Sequence, residues 1–115
     1  MMKVLRNDVL LANLEPVVGS EQGKIRPVLV IQNDILNYNS PTTIVAPITS
    51  KLYSEEYPNN VSVSAGEGGL RVNSTILLNQ IKTISKKRII KKIGALDNEL
   101  MRKVDFAIKV SLGLD

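Results

Sequence analysis

The stretch that decides the fold runs from Ser74 to Gly113, STILLNQIKTISKKRIIKKIGALDNELMRKVDFAIKVSLG, and its hydrophobic period changes partway along. Its first part contains two runs rich in β-branched residues, the apolar Ser74–Ile84 and the basic Lys86–Ile93. We predict both to be strands, the first being the longest in the chain. Its second part repeats apolar residues at the spacing of one helical face. Strands followed by a single amphipathic helix are typical of an α+β domain or a small β-barrel.

The predicted helix extends from Asn98 to Leu112. Asp97 is a favourable N-cap, and Gly113 is a natural residue to end the helix. The apolar stripe of this helix consists of Leu100, Val104, Ala107, Ile108 and Ser111.

Four further strands are predicted upstream. They are Asp8–Leu14, Pro27–Ile31, Thr42–Thr49 and Val61–Ser64. Between the second and third, Asn33–Ser40 is expected to form a turn or one helical turn. Pro47 cannot donate to a sheet ladder, so we expect its strand to lie at an edge or to be bulged. Because no helix separates the strands, parallel βαβ units are excluded.

The composition limits both the size and the chemistry of the protein. The 115 residues fit one domain spanning residues 1–115, and 43% hydrophobic residues suffice for one core. No apolar run approaches the roughly 20 residues of a membrane span, and residues 1–13 lack a signal-peptide pattern. We therefore expect a cytoplasmic protein without a membrane partner. Because the sequence has no cysteine and no histidine, catalysis would require carboxylates, hydroxyls, lysine or arginine.

The net charge of +4 comes from one short segment. Six cations lie within eleven residues, without an acid among them: Lys82, Lys86, Lys87, Arg88, Lys91 and Lys92. A basic strip of this kind suits a polyanion such as RNA or an acidic protein tail. A solvated edge strand whose lysines prevent aggregation explains the strip equally well.

Two polar segments adjoin predicted strands and are candidate sites. In Gly19–Pro27 (GSEQGKIRP), four polar side chains precede Arg26 at the start of the second strand. A guanidinium there can bind a phosphate through two hydrogen bonds, although a surface loop with an Arg26–Glu21 ion pair fits the spacing slightly better. Pro47–Ser50 (PITS) ends the third strand with two hydroxyls that can donate to phosphate, although simple strand termination is the better explanation from spacing alone.

The order of motifs along the chain resembles that of the MazF/PemK toxin family. The likeness covers nearly the whole chain, and the ordered combination of GSEQ, RP and VAPITS is specific. Asn7 replaces the glycine that the family usually has before the aspartate, and Asn79 replaces a common aspartate. Asparagine can take the same left-handed turn as glycine. The matching segments are Asp8–Leu14, Gly19–Gln22, Arg26–Val30, Ser40–Ser50, Asn79–Ile84, Ile93–Leu96 and the closing helix.

This resemblance implies a mainly β, α+β fold, an SH3-like small β-barrel of the CcdB, Kid and MazF kind with a C-terminal helix. It implies a homodimer that cleaves single-stranded RNA at a short sequence, without a metal ion or other cofactor. It also implies inhibition by a cognate antitoxin whose extended, acidic C-terminal segment covers the active site.

The resemblance places the catalytic residues at Arg26, Thr49 and Glu21. The expected reaction is attack of a ribose 2′-OH on the adjacent phosphate, which leaves a 2′,3′-cyclic phosphate and a 5′-OH. Arg26 would stabilise the phosphorane charge, Thr49 would hydrogen-bond a non-bridging oxygen, and Glu21 would act as the base. Further RNA contacts are expected from Ser20, Gln22, Lys24, Ser50, Gln80, Lys82, Lys86 and Lys87.

Three other functions fit parts of the pattern. A non-catalytic barrel would bind RNA or a protein through the basic strip without cutting RNA. A gyrase poison of the same fold would trap DNA breaks and leave RNA intact. A metal nuclease is disfavoured, because the eleven acidic residues are scattered and form no paired-carboxylate cluster in the sequence to hold Mg²⁺.

Overall fold

The structure, a computed structural model, describes residues 3–16, 18–20, 23–53 and 57–115. Within these residues the chain forms one antiparallel sheet with the strand order β4-β5-β3-β2-β1-β7, and β6 also pairs with β3. Helix α1 lies between β2 and β3, and α2 follows β7. The elements are β1 Asp8–Asn13, β2 Ile25–Val30, α1 Asp34–Asn39, β3 Thr42–Thr49, β4 Asn60–Val63, β5 Ser74–Leu77, β6 Lys82–Ser85, β7 Ile89–Ala95 and α2 Asn98–Leu112.

The predicted mainly β, α+β class with a C-terminal helix is confirmed. The sheet is barrel-like but not closed, since the terminal strands of its described order, β4 and β7, are not paired with each other. In the described part of the chain, no helix is both long and apolar enough to cross a membrane.

Strand β2 has both of its faces buried, as its unbroken apolar sequence predicts. Leu29 faces the cluster that includes residues of α2, while Val28 and Val30 face a second cluster with residues of β1 and β6. All three side chains are 0% exposed. The second half of the strand is therefore packed on both sides, and this packing fixes the point from which the residues at its start extend.

The predictions for α2 are confirmed to the residue. The Asp97 side chain accepts a hydrogen bond from the backbone N–H of Leu100 at 2.9 Å, and Gly113 ends the helix in the left-handed conformation with φ 70°. Leu100, Val104 and Ala107 are buried, and Ile108 packs against the same cluster.

The prediction of one long strand over Ser74–Ile84 is wrong. The segment is divided into β5 and β6 by a 3-10 turn at Leu78–Gln80. The division has a packing cause, because β5 pairs with the end of β3 and β6 with its beginning. Between them Leu78, at 0% exposure, turns into the core. The last strand also starts later than predicted, since Lys86–Arg88 forms another 3-10 turn before β7.

Pro47 is tolerated for a reason that its sequence context did not reveal. Strand β3 is central rather than at an edge, with β2 on one side and β5 and β6 on the other. The pairing of β3 with β6 ends at Val45, and its pairing with β5 begins at Ile48. Pro47 lies within this break, where a missing N–H costs no ladder hydrogen bond on that side.

Candidate active site at the ends of strands β2 and β3

The pairing of β2 with β3 brings the two main candidate residues together. The last printed partners of this ladder are Val28 and Pro47, which lie opposite each other. Continuing the same antiparallel register by two residues sets Arg26 opposite Thr49, on the face that Val28 and Pro47 share. Side chains in such positions lie about 5 Å apart at their Cβ atoms. This register would place the backbone positions of Arg26 and Thr49 next to each other at one corner of the sheet.

Arg26 is half-buried and held in one orientation. Its Nε donates to the backbone carbonyl of Gly23 at 2.7 Å. Among the residues that the structure describes, no partner contacts its two terminal nitrogens. These nitrogens form the end of the planar fork that binds a phosphate with two parallel hydrogen bonds.

Thr49 is buried, with 8% of its surface exposed, at the last position of β3. Its Oγ1 accepts a hydrogen bond from the backbone N–H of Lys51 at 3.1 Å. A hydroxyl that accepts in this way still has its proton to donate. Thr49 can therefore donate to an anionic oxygen, with an orientation set by the turn that follows the strand. Ser50, the next residue, is exposed.

The loop before β2 is described only in part. Ser20 and Lys24 are exposed, and Lys24 has a left-handed backbone with φ 65°. Glu21 and Gln22, the expected base and one expected RNA contact, lie outside the described residues.

The basic strip is divided among several elements and is not one free surface. Lys82 lies opposite Val45, on the same face as Thr49 and about 13 Å from it along β3 at 3.3 Å per residue. Lys86 donates through Nζ to the carbonyl of Asn37, whereas Lys87 is exposed. Gln80 is half-buried at the end of its 3-10 turn.

Two other cations of the strip have structural partners. Lys92 forms an ion pair with the buried carboxylate of Asp8 at 3.0 Å, and Arg88 donates to the carbonyls of Asn13 and Glu15. Of the expected cations, the exposed Lys87 is therefore better placed for RNA than Lys86.

A groove of about 920 Å³ adjoins this corner of the sheet. Thr75, which lies opposite Thr49 on β5, is part of its wall. The groove continues past Tyr53 and Tyr57, whose rings meet edge to face with centroids 6.0 Å apart. Arg102 and two neighbouring residues of α2, Lys103 and Phe106, close the far side. The groove thus combines aromatic rings with cations; Arg26 and Thr49 do not line it, and Thr75 is the lining residue that lies opposite Thr49.

The described residues contain no group of three or more Asp, Glu, His or Cys side chains that could hold a metal ion. The site that they form consists of an arginine fork, a hydroxyl and surrounding cations. This chemistry suits an anionic, phosphate-containing ligand.

Sequence reasoning missed the contacts that hold the loop before β2. The carboxylate of Glu15 accepts from the backbone N–H of Lys24 at 2.7 Å, and Arg88 bonds to the carbonyl of Glu15. No motif joins residues 15, 24 and 88, since they meet only because β1 lies between β2 and β7.

The fold and the site together define a small β-barrel-like domain with a candidate arginine-based anion site at one end of its sheet. The chain matches the family model described as "PemK-like, MazF-like toxin of type II toxin-antitoxin system" over residues 5–112. It is 54% identical over 113 residues to "Endoribonuclease EndoA" of Bacillus subtilis (strain 168), covering 98% of this chain and 97% of that protein. The chain therefore belongs to the PemK/MazF family of toxins of type II toxin–antitoxin systems.

Solved structures agree on the fold. MazF from Deinococcus radiodurans (crystal form I) superposes with a TM-score of 0.85 at 22% identity, over 99% of this chain and 100% of that chain. An endoribonuclease in complex with its cognate antitoxin, from a mycobacterial species, superposes with a TM-score of 0.79 at 20% identity, over 100% of this chain and 98% of that chain.

Proposed function

We propose that this protein is an endoribonuclease toxin of the cytoplasm that cleaves single-stranded RNA at a short sequence without a metal ion. The observation that carries the proposal is the register of β2 against β3, whose continuation past Val28 and Pro47 sets Arg26 opposite Thr49. One of these side chains offers two unpartnered guanidinium nitrogens within the described structure, and the other offers a hydroxyl proton. Family membership and the 54% identity to a protein named as an endoribonuclease support the same conclusion.

In the proposed reaction, the 2′-OH attacks the adjacent phosphorus, and a 2′,3′-cyclic phosphate forms as the P–O5′ bond breaks. The 5′-oxygen takes a proton from solvent water and leaves as a hydroxyl. The nucleophile is already held beside phosphorus, so no metal-bound water is needed. The fork of Arg26 stabilises the growing charge on the phosphorane, and Thr49 donates to a non-bridging oxygen. Glu21 removes the 2′-OH proton. Because the nucleophile is the 2′-OH, RNA is cut and DNA is not.

The path of the RNA is proposed to follow the groove beside the site. Tyr53 and Tyr57 provide ring faces or edges for bases. Flanking phosphates are proposed to be bound by four cations, Lys24, Lys82, Lys86 and Lys87. Ser20, Gln22, Ser50 and Gln80 provide the remaining polar contacts to phosphate or base edges.

The same cations are proposed to bind the extended acidic C-terminal segment of a cognate antitoxin. One structural neighbour is such an endoribonuclease–antitoxin complex. The active form is proposed to be a homodimer. Large apolar side chains at and after the end of α2 support this, since Leu112 is 53% exposed and Leu114 is 59% exposed.

The test is incubation of the purified protein with a long RNA of mixed sequence in EDTA, followed by mapping of the cut sites and of the end chemistry. We expect cuts at one short sequence, with cyclic phosphate and 5′-OH ends. Arg26→Ala should lose about 10²–10³-fold in rate, and Thr49→Ser should retain more activity than Thr49→Val. Arg71→Ala, which removes an exposed arginine of another loop, is the matched control.

The alternatives give different results. Retardation of RNA on a gel without cutting indicates a binding module, and trapped DNA breaks with intact RNA indicate a gyrase poison. Cleavage that stops in EDTA indicates a metal nuclease. An Arg26→Ala variant with ordinary activity would remove the proposed centre.

A further inference from the structure

The peptide unit that joins Gly23 to Lys24 is held from both sides. Its carbonyl accepts the Nε–H of Arg26 at 2.7 Å, and its N–H donates to the carboxylate of Glu15 at 2.7 Å. A peptide unit is planar, so its N–H and its carbonyl cannot turn independently. The contact made by Glu15 therefore fixes the direction of the carbonyl that orients Arg26.

Glu15 is itself anchored to the sheet. Its backbone N–H donates to the side chain of Asn13 at 3.0 Å, and its carbonyl accepts from Arg88. Arg88 also reaches the carbonyl of Asn13 at 3.2 Å. The chain next to Glu15 is closed against β2, because Leu14 donates to the carbonyl of Lys24 at 2.9 Å. The carboxylate thus extends from a fixed backbone.

Lys24 needs such a partner. Its φ of 65° lies in the left-handed region, which a residue with a Cβ adopts at a cost. Released from Glu15, Lys24 would favour a negative φ, and the Gly23–Lys24 peptide would rotate. The carbonyl would then move away from the Nε of Arg26, and the terminal nitrogens would no longer be held in one direction.

We propose that Glu15 is a positioning residue of the active site, which acts on Arg26 through the Gly23–Lys24 peptide. It touches no reacting atom. Its carboxylate holds the carbonyl that takes up Nε, so that both terminal nitrogens face the scissile phosphate. The proposal rests on the proposed ribonuclease function and explains what holds the Arg26 side chain in its orientation.

The first test measures single-turnover cleavage of an RNA that contains the mapped site. Glu15→Ala should lower the cleavage rate about tenfold, because small misplacements of a catalytic group cost between ten- and a hundredfold. The affinity for an uncleavable 2′-deoxy analogue should change little. Glu15→Gln keeps an oxygen acceptor and should recover most of the rate.

Glu67→Ala is the matched control. The carboxylate of Glu67 likewise accepts a backbone N–H, that of Ser64, at 2.9 Å. Its 3-10 turn packs against Val9 and Ile93 rather than against Arg26. An equal loss of rate in Glu67→Ala would attribute the effect to general loosening and overturn the proposal.

Two further measurements separate positioning from stability. In an Arg26→Lys background, which lacks the Nε–H, adding Glu15→Ala should change the rate less than about twofold. In the protein without RNA, the Nε–H of Arg26 should exchange with solvent more slowly in the wild type than in Glu15→Ala.

The outcomes distinguish this proposal from the proposed function. A wild type that cuts RNA, together with an unimpaired Glu15→Ala, refutes the positioning role alone. A wild type that cuts no RNA refutes the ribonuclease, and the exchange rate of the Arg26 Nε–H still decides whether Glu15 holds that side chain.

Discussion

Replacing Lys24 tests how much strain the site loop carries. The lysine has φ 65°, and the left-handed region costs a residue with a Cβ about 1–2 kcal/mol. Glycine avoids this cost but gives the unfolded chain more freedom, which offsets about 0.4–1 kcal/mol. We therefore expect Lys24→Gly to stabilise the protein by about 0.5–1 kcal/mol, which corresponds to about 3–5 °C in melting temperature.

The matched comparison is Lys24→Ala. Alanine removes the same charge and keeps both the Cβ and the backbone N–H that donates to Glu15. Its stability should stay within about 0.5 kcal/mol of the wild type. Urea unfolding of the three proteins at one protomer concentration measures the difference, because the proposed dimerisation would make stability depend on concentration. The difference in unfolding free energy between Lys24→Gly and Lys24→Ala then measures the effect of the backbone conformation alone.

The same pair of variants tests the contact of Lys24 with RNA. If its ammonium neutralises one phosphate, both variants should lower the slope of log affinity against log salt by about 0.7. An alanine variant as stable as the glycine variant would show that the left-handed backbone is not strained. An unchanged slope would remove Lys24 from the RNA contacts.

Two other changes have outcomes that the structure determines. A Cβ added at Gly94 would lie 2.6 Å from the backbone carbon and oxygen of Gly68. Gly94→Ala should therefore lower the free energy of unfolding, measured in urea, by about 1–3 kcal/mol. An unchanged urea midpoint would contradict this close approach. The pKa of Asp34 is lowered from its ordinary 3.8, first by the backbone N–H of Arg6 and then by the side chain of Asn37. A depressed pKa stabilises the fold above the unfolded-state pKa and loses that effect as pH falls through the folded value. The stability advantage of the wild type over Asp34→Asn should therefore be present above the ordinary pKa of 3.8 and shrink as the pH falls below it, and an advantage that persists in acid would show that the carboxylate does not need its charge.

Local sequence predicted those elements whose causes are local. The bounds of α2 follow from a 3.6-residue period, an aspartate N-cap and a terminal glycine, and the structure has the same bounds. Asn7 was expected to replace a glycine in a left-handed turn, and its φ is 85°. In both cases the deciding interactions lie within a few residues of one another.

Elements whose causes are distant were not predicted. The segment Ser74–Ile84 has an unbroken strand-like sequence, and only its two separate pairings along β3 reveal why it must turn at Leu78–Gln80. The expectation that Pro47 needs an edge or a bulge failed for the same reason. The break that accommodates Pro47 lies between β5 and β6, which are distant from it in the sequence.

The candidate site shows the same difference between local and distant causes. Residue types and family motifs identify Arg26 and Thr49, and the β2–β3 register is consistent with both at one corner. The direction of the guanidinium depends instead on the Gly23 carbonyl and, through that peptide, on Glu15. The basic run shows the same limit. A count of charges does not distinguish Lys86 and Arg88 from Lys87, but Lys86 and Arg88 bond to backbone carbonyls and so have a structural role. A motif therefore specifies which groups are available for phosphate chemistry, and the hydrogen bonds of their neighbours decide which of them can point at the phosphate.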